Sequence, residues 1–290
     1  MKTVGVIPNL DKDVDLEFTR LVAEKFACLG AKVNVTADVA KQIGLKDNCA
    51  DEDYVFGNSE AIICLGGDGT FLKAARKAYS VDVPILGINL GSLGFLTEVE
   101  KNDFDKALEC IVNDDFTIEK RMMLDTLIQA KDRIIASDIA LNDVVISRGA
   151  LSRILHLKTY INDAFAYAFP GDGLIVSSPT GSTAYSLSAG GPIVEPDLDM
   201  IILTSICPHI LYSRSFVTSG DSVVKVSMDE SYCHDAMVTV DGQKGYEIRG
   251  GYCVEVKKSS YYVKLIRIGS RNFFNILRTK MYERGEYFRG

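Results

Sequence analysis

Ala61-Ile62-Ile63-Cys64-Leu65-Gly66-Gly67-Asp68-Gly69-Thr70-Phe71-Leu72-Lys73-Ala74-Ala75-Arg76 is the stretch of this 290-residue chain that decides its fold. Five apolar residues run into a glycine-rich turn, which is the pattern of a short strand buried on both faces of a parallel sheet. After the turn, Phe71, Leu72, Ala75 and Ala78 recur at helical spacing, with Lys73, Arg76 and Lys77 on the outer face. The segment therefore reads as strand, tight turn and helix. Free backbone N–H groups and the helix dipole attract phosphate at such a turn. Asp68 stands among them, and two readings of it stay open on spacing alone. It is either a solvated turn residue, since Gly and Asp are ordinary in turns, or a group that holds a cation or takes up a proton beside phosphates.

Working outward, Thr3 to Ile7 reads as a first strand, Leu16 to Leu29 as an amphipathic helix stopped by Gly30, and Lys32 to Thr36 as a second strand. Residues 37–59 are polar and weakly periodic, and are expected to form a helix fragment and a mobile loop. Pro84 to Ile88 is another buried strand, closed by a second glycine loop, Asn89-Leu90-Gly91-Ser92-Leu93-Gly94-Phe95, and Phe104 to Ile111 reads as a helix. Alternation of this kind implies a parallel sheet with helices on both faces, whose ligands bind beyond the carboxyl ends of the strands. Both glycine loops lie at such ends.

From about residue 115 the texture changes. Thr117 to Ile128, Arg133 to Ile139, Asn142 to Ser147, Ile154 to Ile161, Ala164 to Ala168 and Leu174 to Ser177 are short β-rich runs between turn signals. The pattern resumes at Ser222 to Ser227, Ala236 to Val240, Tyr252 to Val256 and Tyr261 to Ile266. Antiparallel β structure, a sandwich or stacked sheets, is the expectation. The last twenty residues carry Phe273, Phe274, Leu277 and Met281 at helical spacing, an apolar face that must dock. The expected domains are 1–116, α/β with the Gly66–Thr70 turn; 117–268, β; and 269–290, a tail helix returning to the first.

A net charge of −7 argues against a general nucleic-acid binder, which presents a basic surface. Seven scattered cysteines without a C-x-x-C fit the reducing cytoplasm. The N-terminal residues show no signal-type apolar core, and the longest apolar stretch, Met200 to Cys207, is too short to span a bilayer, so no membrane role is expected.

Three constellations carry chemistry. The Gly66–Thr70 turn is neither G-x-x-x-x-G-K-[ST] nor G-x-G-x-x-G. Asn142-Asp143 is a polar pair inside an alternating strand. It is either an edge or bulge that turns both side chains to solvent, or an amide and a carboxylate that bind a ribose or base edge. The third runs from Gly171-Asp172-Gly173 through a strand to Pro179-Thr180-Gly181-Ser182-Thr183-Ala184-Tyr185-Ser186-Leu187-Ser188-Ala189-Gly190-Gly191-Pro192. Its glycines and hydroxyls suit a loop that approaches a ligand closely, with Tyr185 to pack on a ring. There is no G-x-S-x-G elbow. His156, His209 and His234 lack metal-ligand spacing, so no metal ligands are assigned.

With these in view the chain resembles the NAD kinases. GGDGTFL, NLGSLGFLTE, the Asn-Asp pair and GDGLIVSSPTGSTAYSLSAGGPI stand in that family's order and spacing, and VDGQ at Val240–Gln243 and the FF-x-x-L-x-x-K tail resemble its closing signatures. The turn alone is shared with lipid kinases and phosphofructokinases; the long third segment is specific. The resemblance implies a Rossmann-like N-terminal domain, a C-terminal antiparallel β domain and an active site in the crevice between them. It implies phosphorylation of the adenosine ribose 2′-hydroxyl of NAD by ATP with a divalent metal, Mg²⁺ or Mn²⁺, giving NADP. Asp68 would be the proton acceptor, with Gly69 beside it in the turn. Asn142 and Asp143 would hold the dinucleotide. Asp172 and Thr183, Ala184, Tyr185, Ser186, Leu187 and Ser188 match residues around its nicotinamide and adenine ends. Arg153 and Gln243 match further dinucleotide contacts, Phe95 an aromatic lining, and Lys73 a basic residue near the phosphates. Family members are homodimers or homotetramers. Two departures stand out: Pro170 replaces a common basic residue, and Asp143 a commoner Glu. A lipid or sugar kinase and a catalytically idle NAD-binding regulator are the competing readings.

Overall fold

The computed structural model describes residues 2–45, 49–91, 94–131, 133–149, 153–269 and 273–286, with residues 49 and 281–286 described by backbone alone. The chain divides into two compact units, Met1–Lys120 with Val263–Gly290, and Arg121–Tyr262.

The first unit begins with β1 (Thr3–Pro8), α1 (Glu17–Cys28), β2 (Lys32–Thr36), α2 (Ala37–Ile43), β3 (Cys49–Ala50) and α3 (Glu52–Gly57). It continues with β4 (Ala61–Gly66), α4 (Asp68–Ala78), β5 (Ile85–Asn89), β6 (Val99–Glu100) and α5 (Phe104–Val112). The strands run in the order β3-β2-β1-β4-β5, all parallel, with β6 parallel beside β5. Ala61 to Gly66 are all buried, as two-sided burial of a central strand requires.

Alternate residues of β4 and β5 (Ile63, Leu65, Leu86, Ile88) join Val22, Phe26 and Val39 in one core, with α5 contributing Leu108 and Ile111. The opposite face takes α3 and α4. A Cβ on Gly5 would stand 2.9 Å from Val55 Cγ1 of α3, and one on Gly87 3.0 Å from Phe71 Cδ2 of α4, so both strand positions must be bare for the helices to seat. Residues 37–59 differ from expectation. They form α2, β3 and α3, because Val39, Ala40, Ile43, Val55 and Phe56 are buried and Asp51 caps α3 by accepting from Tyr54 N at 2.7 Å. Residues 46–48 lie outside the described set.

The second unit takes up the chain within β7 (Thr117–Ala130) and continues with β8 (Arg133–Ala140), β9 (Asp143–Arg148), β10 (Leu155–Ile161), β11 (Ala164–Gly171) and β12 (Gly173–Ser177). After a 3₁₀ turn at Thr180–Thr183 come α6 (Tyr185–Ser188), β13 (Met200–Ile206), β14 (Phe216–Ser219), β15 (Val224–Met228), β16 (Ala236–Val240), β17 (Lys244–Ile248) and β18 (Tyr252–Arg267). One antiparallel sheet has the order β14-β13-β12-β9-β16-β17; β11-β10-β15-β18 belong to another, in which β7 pairs with β18 and β8. Val144, Ile146, Leu174 and Val176 from the former meet Leu155, Leu157, Val224, Val226 and Val254 from the latter, a sandwich core built on period-two alternation. The two runs expected at Tyr252–Val256 and Tyr261–Ile266 are a single strand, β18.

Beyond Tyr262 the chain belongs to the first unit again, where Leu265 of β18 pairs parallel with Ile85. The closing helix α7 (Phe273–Glu286) sets the Phe273 ring 6.2 Å from that of Phe95. The expected apolar face of α7 is only partly right: Phe274 is 54% exposed, whereas Ile276 is buried. Met281 falls outside the described side chains.

Candidate functional site

In the first unit the two glycine loops are tied together by Asp68. Asp68 is the first residue of α4, after Gly67 as N-cap. Its Oδ2 accepts from Phe95 N at 2.9 Å and its Oδ1 from Leu96 N at 3.1 Å. The solvated-turn reading is thus overturned: the carboxylate is half-buried and faces main-chain donors of the second loop. A Cβ on Gly94 would fall 1.9 Å from Asp68 Oδ1, and one on Gly66 2.4 Å from Thr70 Oγ1. Only glycine fits either place. Thr70 is held from behind by Asn9 Nδ2 at 2.7 Å, and Asn9 N donates to Leu65 O. Gly69 lies in open space and Lys73 is exposed. Phe95 is half-buried, with Lys280 Nζ 5.3 Å from its ring centroid. Ser92 and Leu93 of the second loop are outside the described residues.

One cation there escapes sequence reasoning. Lys12 Nζ lies 3.2 Å from where a Cβ would stand on Gly67, and 3.2 Å from the same point on Gly91. The ammonium therefore sits over both glycine loops at once. Its position in a polar turn after β1 carries no periodicity, so nothing in the local sequence marks it.

In the second unit Asp143 opens β9, between β12 and β16, so the edge-strand reading fails. Asn142 is half-buried and Asp143 buried. Burial pushes the Asp143 carboxyl up to about 7, and the charge of Asp241 pushes it the same way. The hydroxyl-rich segment is brought against this pair. Ser178 Oγ donates to Leu141 O, Ser178 N donates to Asn142 O at 2.9 Å, and Ser177 Oγ donates to Asn142 O at 3.2 Å. A Cβ on Gly181 would be 2.1 Å from Asn142 O. Further along, Ser182 Oγ bonds both the N and the O of Val194, and Ser186 Oγ lies 3.1 Å from Thr204 Oγ1. Those hydroxyls anchor the segment to its own scaffold. Thr183, Ala184 and Leu187 are half-buried, Ser188 is exposed, and Tyr185 is 46% exposed. Gln243 is half-buried in the turn after β16, where its N donates to Val240 O.

Asp172 and Arg153 are not brought to that end. Ser177 pairs with Asp143 but Gly173 with Ser147, so Asp172 lies about five residues of strand away, roughly 16 Å. There Arg148 Nη1 holds Asp172 Oδ1 at 3.1 Å. Arg153 is exposed, and its carbonyl accepts from Tyr232 Oη at 3.3 Å. Among the described residues no three His, Cys, Asp or Glu side chains group as a metal cage.

Comparison with known proteins bears on both units. Residues 5–116 match the model of the ATP-NAD kinase N-terminal domain and residues 141–268 that of the C-terminal domain. The NAD kinase of Acetivibrio thermocellus is 57% identical over 286 residues, covering 99% of each chain, and that of Ruminiclostridium cellulolyticum 51% identical over 287, covering 99% of this chain and 100% of the relative. Among solved structures, yeast NADH kinase complexed with NADH superposes with a TM-score of 0.83 at 25% identity, over 94% of this chain and 85% of that one. A fold match, at 24% identity and a TM-score of 0.74, is an NAD kinase from Archaeoglobus fulgidus in complex with ATP, over 97% of this chain and 98% of that one. On full-length identity of this degree, and with both halves matched, the chain belongs to the ATP-NAD kinase family.

Proposed function

We propose that the chain transfers the terminal phosphoryl group of ATP to the 2′-hydroxyl of the adenosine ribose of NAD, producing NADP, with Asp68 accepting the hydroxyl proton. The transfer is the reaction of the family to which the chain belongs. The observation that carries the role of Asp68 is its carboxylate, half-buried at the start of α4 and held by Phe95 N and Leu96 N. Those two bonds leave lone pairs for a proton, since a carboxylate offers about four acceptor sites. The amides that open α4 and the ammonium groups of Lys12 and Lys73 would bind the polyphosphate.

Beside the turn stands the Asp68 carboxylate, and among the described residues no three His, Cys, Asp or Glu side chains group as a cage of ligands. A divalent ion, magnesium or manganese, would therefore be held chiefly by phosphate oxygens and water. Bound so, it neutralises charge on the transferring group. Asn142 and Asp143 would bind the dinucleotide, with Gln243 and the 183–188 segment beside them; Asp172, Arg153 and Phe95 would make its outer contacts. Cytoplasmic location and assembly as a homodimer or homotetramer complete the reading; light scattering tests the latter.

The assay is purified protein with ATP and Mg²⁺, offered NAD, NADH, a lipid and a sugar in turn, with NADP or NADPH measured as product. Asp68→Asn should lower kcat by about 10²–10⁴-fold while calorimetric NAD binding persists. Near-normal kcat in that variant would sink the base assignment. Turnover of lipid or sugar with none of NAD would sink the substrate.

A further inference from the structure

Asp241 has no part in the proposed reaction, yet its carboxylate takes three backbone donors in the second unit. It is buried. Its Oδ2 accepts from Leu141 N at 2.9 Å, and its Oδ1 from Asn142 N at 2.7 Å and Asp143 N at 3.3 Å. Asp241 N in turn donates to Asp143 O at 2.9 Å. Three successive amides converging on one anion make a nest, and an ionised carboxylate, acceptor only, matches three donors.

We propose that Asp241 is a positioning residue, which clamps the Leu141–Asp143 turn so that the Asn142 and Asp143 side chains are presented to the dinucleotide. The proposal rests on the assignment of that pair as dinucleotide ligands. The clamp reaches across about a hundred residues of chain, from the tip of the β16–β17 hairpin to the start of β9. It also sets the charge environment of the pair. From β12 Asp143 faces Ser177, and from the hairpin tip it faces Asp241, of which Asp241 carries the charge.

The backbone selects the informative variants. Asp241 and Gly242 have φ of 53° and 63°, a conformation that Asn and Gly accept and Ala resists. Asp241→Gly removes the clamp without adding strain. Asp241→Asn removes the charge and turns one donor toward the amides.

In the full-length enzyme, Asp241→Gly should raise KM for NAD about tenfold and leave KM for ATP within about twofold. In wild type, kcat/KM for NAD should fall as pH drops through about 7, as Asp143 takes up a proton. In Asp241→Asn that limb should move to lower pH, a shift that a purely structural defect does not produce. If Asp241→Gly fails to fold, the pH profile of Asp241→Asn decides. Wild-type NAD kinetics and an unmoved limb in the folded variants, beside a raised KM in Asn142→Ala, would overturn the clamp alone. A wild-type KM in Asn142→Ala would overturn the pair's assignment, and the clamp's purpose with it.

Discussion

Asp143 is a carboxyl group kept from water and set beside a second carboxylate, and its titration should be visible in the stability of the protein. Its folded-state value, about 7, lies above the ordinary 3.8, so the folded chain holds a proton that the unfolded chain has released between those pH values. Stability is then highest with respect to this group below about pH 4, falls as pH rises toward 7, and stays low above it. Asp143→Asn removes the titration while keeping the shape. Its gain should be nil near pH 4 and on the order of 3 kcal/mol at pH 8, read from urea unfolding at the two pH values. An equal effect at both would show that burial of charge is not the cause. Asp68 differs in kind, because it is pinned by amides of a neighbouring loop. Sequence showed that a carboxylate stood among glycines, and the bonds to Phe95 N and Leu96 N gave it an orientation. Lys12 had no such flag, since its meaning is its place over Gly67 and Gly91, residues more than fifty positions away.

At the scale of elements, strong local patterns were legible. Ala61 to Ala78 folds as the strand, turn and helix that its apolar spacing demands, and Phe71, Leu72, Ala75 and Ala78 are all buried. Of residues 37–59 only a helix fragment was legible and not two helices, because α2 and α3 are seven and six residues long. Helices so short gain little from propensity and are held by packing and caps. Asp51→Ala should therefore lower stability by about 1 kcal/mol, through loss of its bond to Tyr54 N, with KM for NAD and ATP unchanged. A denaturation midpoint equal to wild type would mean that the burial of Val55 and Phe56 suffices without the cap. The hydroxyl-rich segment shows the opposite limit of local reading. Its composition announces close approach, but Ser182 and Ser186 spend their hydroxyls on Val194 and Thr204, which no spacing rule foretells.

At the scale of the molecule, each unit closes through residues far apart in the chain. In the first unit Arg267 donates to Glu98 at 2.7 Å and to Glu119, and Ile268 N donates to Glu98 at 3.2 Å. The side chain of Glu98 is 2% exposed, so the C-terminal return of the chain is locked by a buried charge. Arg267→Met strips Glu98 of its guanidinium and should destabilise by about 3 kcal/mol. The check is the urea midpoint of the variant against wild type. An unchanged midpoint would show that the remaining donors to Glu98 are enough.

The order of elements, the parallel and antiparallel halves, and the two glycine loops follow from the sequence by itself, because burial period and turn chemistry are written locally. The family likeness follows too, from motifs that keep their spacing. Tertiary structure alone decided that Asp143 is buried on a central strand, that Asp172 stands at the other end of that sheet, and that Asp241 grips three amides about a hundred residues away. Hydrogen bonds and desolvation depend on what folding brings within a few ångströms, and distance along the chain carries no record of that.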